Sequence, residues 1–151
     1  MSRITAMCCA ALIMACAPSG EQAAEDDGTA MSGGITLADA AGTWDMNTML
    51  VGSDSVVTTS QLVATETMDG WQLLLPGRDP IPVRVVAVEG DSIVSETGQY
   101  ESILRPGVMV SLRMVYRLHG EMMMGGITAR YQSMDADSVV MLRSEGTRQP
   151  M

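Results

Sequence analysis

The chain has 151 residues and a formal net charge of −9, with 18 acidic residues against nine basic ones. All nine basic residues are arginines, and acidic groups are spread along the chain, which argues against a nucleic-acid surface and against direct adhesion to anionic headgroups. The length is one domain's worth.

Met-Ser-Arg opens the chain with one positive charge, and an apolar run from Ile4 to Met14 follows, broken only by Thr5. A charged start, a short apolar run and a small residue, Ala15, have the order of a secretory signal. The run is too short for a spanning helix, which needs about 20 apolar residues. The pattern Ile13-Met14-Ala15-Cys16 resembles a bacterial lipobox. That resemblance implies a signal peptide over residues 1–15, cleavage before Cys16, and palmitate-type acylation that makes Cys16 the membrane anchor. Ala17 in the next position is similar to an outer-membrane sorting signal. The implied location is the cell envelope, on the outer membrane facing the periplasm or at the cell surface. Several acyl chains hold far better than one. Cys8 and Cys9 would leave with the signal, so the exported domain has no disulfide and must rely on its core.

Residues 16–36 follow as the lipidated cysteine and a tether. Ala17 to Gly34 is rich in Ala, Gly, Ser, Glu and Asp, and buries too little apolar surface to offset the entropy of ordering it. From residue 37 to 151 the hydrophobic period is two. Met109 to His119 is the clearest case: Val110, Leu112, Met114, Tyr116 and Leu118 share one face, while Ser111, Arg113, Arg117 and His119 share the other. Similar runs cover Thr43–Val51, Val56–Met68, Trp71–Leu75, Ile81–Val88, Ser92–Thr97, Met122–Gln132 and Ser138–Glu145, separated by turns rich in Gly, Pro and Asp. Eight short strands with no long helical pattern predict an all-β fold, an antiparallel up-and-down β-barrel. Closure would remove the exposed edges. A two-sheet sandwich is the competing arrangement.

The approach to the first strand, Thr36-Leu37-Ala38-Asp39-Ala40-Ala41-Gly42-Thr43-Trp44, resembles the start of lipocalin-like (calycin-type) barrels. The resemblance implies a short helical turn capped by Thr36 and ended by Gly42. It also makes Trp44 the indole that plugs the closed end, with Met46, Thr48 and Leu50 pointing inward after it. An arginine of the last strand packs over that tryptophan in such barrels, and both Arg143 and Arg148 lie near the right place.

No nucleophile motif or phosphate-cradling loop is present, so no catalytic residue and no cofactor are assigned, and the domain reads as non-enzymatic. Only Glu66 and Glu96 fall within strands, and Glu96 is expected to face water. His119 sits beside Gly120 at a hairpin tip and reads as a solvated turn residue, since one histidine without cysteine cannot build a zinc site. The run His119-Gly-Glu-Met-Met-Met124 suits copper(I), but Met123 must point away from Met122 and Met124, leaving at most two thioethers together. With 15 methionines and no phenylalanine, Met reads as adaptable core filler, and no metal site is assigned.

The predicted lumen is lined by Trp44, Met46, Leu50, Leu62 and the pocket candidates Leu73, Val85, Leu112, Met114, Tyr116 and Tyr131, with a tyrosine hydroxyl to orient a ligand. The favoured expectation is an anchored binding module for a small hydrophobic or amphipathic ligand. The alternative is a filled barrel acting as a structural or protein-interaction module of the cell envelope. Its loops Ser53–Ser55, Pro76–Pro80 and Ile103–Gly107 would meet an envelope protein. No nucleic-acid partner is expected.

Overall fold

The computed structural model describes residues 34–133 and 137–150. The signal peptide, Cys16 and most of the tether lie outside the described residues. Gly34 to Thr36, read above as the end of the tether, already belong to the folded domain: Ile35 donates its amide to the Gly90 carbonyl, and Thr36 caps a helix. That helix, α1 (Leu37–Ala40), is one turn long. Thr36 and Asp39 form a reciprocal capping box that satisfies amides the helix itself leaves free.

Nine strands follow: β1 (Gly42–Leu50), β2 (Val56–Ala64), β3 (Trp71–Leu74), β4 (Ile81–Glu89), β5 (Ser92–Thr97), β6 (Tyr100–Glu101), β7 (Met109–His119), β8 (Met122–Tyr131) and β9 (Val139–Arg148). All pairings are antiparallel. They run β5-β4-β3-β2-β1-β9-β8-β7, and β5 pairs with β7 to close the ring. The architecture is an eight-stranded antiparallel barrel, and the sandwich alternative falls. The unpredicted element is β6. After Thr97 the chain leaves the ladder at Gly98 and Gln99, then rejoins β7 at Tyr100 and Glu101. The Thr97 hydroxyl bridges the gap by accepting the Leu112 amide at 2.9 Å.

Three connections, 51–55, 75–80 and 98–108, gather at one end, where β8 also ends and β9 begins. The other end carries the connections 65–70, 90–91 and 120–121, together with the point where the chain enters. This second end is closed by Trp44, which is fully buried and donates its indole N–H to Ala40 O at 2.8 Å. Arg148 stacks over the indole with its guanidinium carbon 4.4 Å from the ring centroid, and donates to the carbonyls of Asp39 and Ala41. The arginine is therefore Arg148. Arg143 instead faces outward, bonded to Asp54 and Glu145. Gly42 starts β1 with φ +138°, and a Cβ there would lie 3.3 Å from the Arg148 guanidinium. Helix α1 ends at Ala40 with Ala41 as its cap, so Gly42 serves Arg148's passage rather than helix termination.

Two expectations need correction. Leu50 does not line the interior: it is the last residue of β1 and is 44% exposed at the rim, although its pairing with the buried Leu142 keeps the register of β1 and β9 unbroken. The one-residue shift between β1 and β2 at this point is taken up by Val57 on β2. The run Val56–Met68 is also not one strand. It ends at Ala64, and Thr65 to Gly70 turn so that Trp71 Nε1 can donate to the carbonyls of Thr65 and Thr67. Glu66 consequently lies exposed on a turn. Glu96 faces outward as expected, between Arg84 and Arg113 in a cross-strand row.

Two glycines make the interior possible. A Cβ on Gly125 would lie 2.5 Å from the Tyr116 ring, and one on Gly146 would lie 2.2 Å from the Met46 sulfur. Each glycine is the cross-strand partner of the large residue it accommodates. Trp44→Ala is expected to lower stability by about 3–5 kcal/mol, as aromatic truncations in cores do. Gly125→Ala is expected to lower it by about 1–3 kcal/mol through overpacking. Chemical denaturation of both variants checks this, and a neutral Gly125→Ala would show that Tyr116 does not occupy that space.

Candidate functional site

Inward positions on the strands meet at several levels, and one of them differs from the rest. Tyr116, Gly125, Ser144, Thr48 and Thr58 are successive cross-strand partners around five adjacent strands, β7, β8, β9, β1 and β2. Only one of the five is large. Small side chains on four neighbouring strands cannot reach the barrel axis, and a cavity of about 40 Å³ remains beside them. Its wall combines these hydroxyls with Leu73, Met114, Tyr131 and Leu142, and the β6–β7 connection contributes Ser102, Ile103 and Leu104 to it.

Of the six predicted lumen residues, the structure brings Leu73, Leu112, Met114, Tyr116 and Tyr131 to this cavity. Val85 is buried in the same core but does not reach it. Sequence reasoning missed the hydroxyl row and the loop residues. The parity of β1 does place Thr48 inward, but the alignment of Thr48 with Ser144 and Thr58 depends on register.

The polar groups here are uncharged. Tyr116 Oη donates to Met114 Sδ at 3.2 Å, and burial pushes its pKa well above the usual phenol value. Burial likewise raises Tyr100 to about 12, helped by Tyr131 and opposed by Arg78. Both phenols are therefore neutral at physiological pH. Ser144 Oγ is buried, borders the cavity and has no hydrogen-bond partner among the described residues. No cluster of three His, Cys, Asp or Glu side chains among the described residues is placed to hold a metal ion.

The β6–β7 connection is firmly held. Ser102 Oγ accepts the amides of Leu104 and Arg105, and Glu101 accepts the amide of Gly107 at 2.9 Å. Arg105 lies 4.3 Å above the Tyr131 ring and donates to the Asp137 carbonyl at 3.0 Å. Arg78 reaches across to the Glu101 carbonyl. This end thus has its own arginine-on-aromatic closure, opposite the pair of Arg148 and Trp44.

The loops Ser53–Ser55, Pro76–Pro80 and Ile103–Gly107 all lie at this end, away from the point where the chain enters. Exposed apolar groups gather there too, among them Leu50, Val51, Val56, Leu104 and Val139. No family model matches the chain, and neither a curated protein nor a solved structure matches it.

Ser144→Ala tests the cavity. An unpartnered buried hydroxyl carries a desolvation penalty of about 1–3 kcal/mol, so its removal is expected to raise stability by roughly 1 kcal/mol. A loss of stability in thermal or chemical unfolding would mean that Ser144 Oγ is hydrogen-bonded in the working protein.

Proposed function

We propose that this is a non-enzymatic lipoprotein module of the cell envelope, a lipocalin-like barrel with a filled lumen that works through its outer face and its loop-bearing end. The observation that carries this reading is the interior volume. Ligand sites measure about 300–1,000 Å³, whereas the cavity here is about 40 Å³. That is room for a few waters at most. The stitched loop at the cavity supports the same reading, because admitting a ligand would require breaking several hydrogen bonds together with the Arg105–Tyr131 contact. The anchor is Cys16, acylated at an outer membrane, with the residues after it serving as the tether. Since the folded domain begins beside Gly90, the tether joins the end closed by Trp44. The opposite end, with its rigid Pro- and Gly-containing turns and exposed aliphatic groups, is then free to meet an envelope protein.

A second reading, a barrel that binds a small amphipathic molecule, keeps one supporting observation. The cavity wall is mostly apolar with neutral hydroxyls, and Ser144 Oγ is unpartnered there. Native mass spectrometry of the protein purified from its own host, followed by solvent extraction, separates the two. The filled-barrel reading expects an apo mass, no thermal shift with lipids or hydrophobic metabolites, and a destabilised Met114→Trp variant. A stoichiometric co-purifying molecule that Met114→Trp displaces would overturn it.

The anchor has its own test. Intact-mass analysis of membrane-extracted protein is expected to show an acylated chain beginning at Cys16. Cys16→Ser is expected to release the protein from the membrane fraction, and persistent membrane association would sink the proposal.

A further inference from the structure

The methionines around residue 123 divide by face. Met123 is fully buried in the core, while Met122 and Met124 point outward and are 41% and 38% exposed. Core filling explains the first and leaves the other two unexplained. Across the β7–β8 ladder, His119 is the direct partner of Met122, and Arg117 is the partner of Met124. His119, Met122 and Met124 therefore share one outward face at one end of a single hairpin.

The spacing suits convergence. Directly opposed residues in an antiparallel pair have Cβ atoms about 4.5–5.5 Å apart. Residues two apart on a strand are separated by about 6.5–7 Å. Imidazole and flexible thioether side chains span such gaps to a common point. Arg117, the cross-strand partner of Met124, is drawn aside: its Nε is bonded to Ser92 Oγ at 3.0 Å and to Asp91 at 3.3 Å, on the β5 side of the strand. Gly125 and Gly126 follow Met124 and leave a shallow depression beside it, bordered by Arg117 and His119.

We infer that His119, Met122 and Met124 form a surface site for a soft univalent cation, copper(I) or its analogue silver(I). Two thioethers and one imidazole are the donor set that favours such ions over zinc, magnesium or calcium, which prefer thiolate, imidazole or oxygen ligands. The ligands all come from one rigid hairpin, so the site needs no folding step. The chain's net charge of −9 favours cation approach. The site lies outside the barrel, and the inference stands apart from the reading of the lumen.

The test uses the full chain carrying Cys8→Ser, Cys9→Ser and Cys16→Ser, so that no thiol competes. Copper(I) is titrated anaerobically against a chromogenic copper(I) chelator, and silver(I) binding is followed by NMR of the methionine methyl groups. The expectation is one tight equivalent, with the Met122 and Met124 methyls shifted and the Met141 methyl unmoved. Met122→Leu with Met124→Leu preserves shape and volume. Loss of a residue that merely supports a ligand weakens metal binding about 10–100-fold, so the double variant and His119→Ala should each lose more than tenfold in affinity. Met141→Leu, an exposed methionine elsewhere on the surface, should leave affinity unchanged. Absence of a tight equivalent in the parent chain would overturn the inference, as would undiminished affinity in the double variant whose circular dichroism matches the parent.

Discussion

The pairing of Trp44 with Arg148 is the contact on which the rest of the barrel depends. The two residues are cross-strand partners, and they sit where the first and last strands meet to complete the ring. Arg148 stacks on the indole and donates to the carbonyls of Asp39 and Ala41, so a single side chain ties the C-terminal strand to the helical turn before the first strand. The desolvated stack is worth up to about 2 kcal/mol. Its larger effect is on register. With Trp44 opposite Arg148, Met46 must meet Gly146 and Thr48 must meet Ser144. A slip of one residue would turn each of these faces over and place Met46 against a side chain that leaves no room for its sulfur.

From that register the interior volume follows. Large inward residues meet glycine where space is short, as Tyr116 meets Gly125 and Met46 meets Gly146. Where several small residues coincide at one level, the packing falls short, and the cavity beside Ser144 is the result. A small barrel thus fills or empties itself according to which side chains its register aligns, and not according to how apolar its lumen is. The same inner composition in another register would enclose a different volume. For this reason an apolar, tyrosine-bearing lumen is weak grounds for a ligand until the alignment of strands is known.

The parts legible in the sequence were those with a local cause. The alternation from Met109 to His119 marks a half-buried strand, since a side chain's facing changes with every residue. The cap at Thr36 and the plug at Trp44 likewise rest on one short stretch, though the reciprocal bond from Asp39 became visible only in the structure. What escaped had a nonlocal cause. The one-residue shift between β1 and β2 falls on Val57 and arises from how the two strands meet, and no alternation within β1 records it. The end of β2 at Ala64 is tied to the indole of Trp71, which takes up the Thr65 and Thr67 carbonyls; the shared parity of Trp71 and Leu73 hints at its burial but not at that bond. The hydroxyl row around the cavity spans strands far apart in the chain.

Methionine shows most clearly why composition alone stops short. An abundance of Met without Phe suggests flexible core filler, and for Met46, Met114 and Met123 that is where the side chains go. Yet Met122, Met124 and Met141 are exposed, and Met122 and Met124 flank the most buried member of their run. Alternation forces that split, because a strand cannot bury three consecutive side chains on one face. Met123 occupies the core only by sending its neighbours outward. Leucine, lysine or threonine at those outward positions would serve the ladder equally well, so the presence of thioethers there is not a consequence of folding. What distinguishes the pair is the residue opposite. The β7–β8 turn is tight enough to set His119 directly across from Met122, which makes a chemically specific group out of what composition presents as surplus apolar surface.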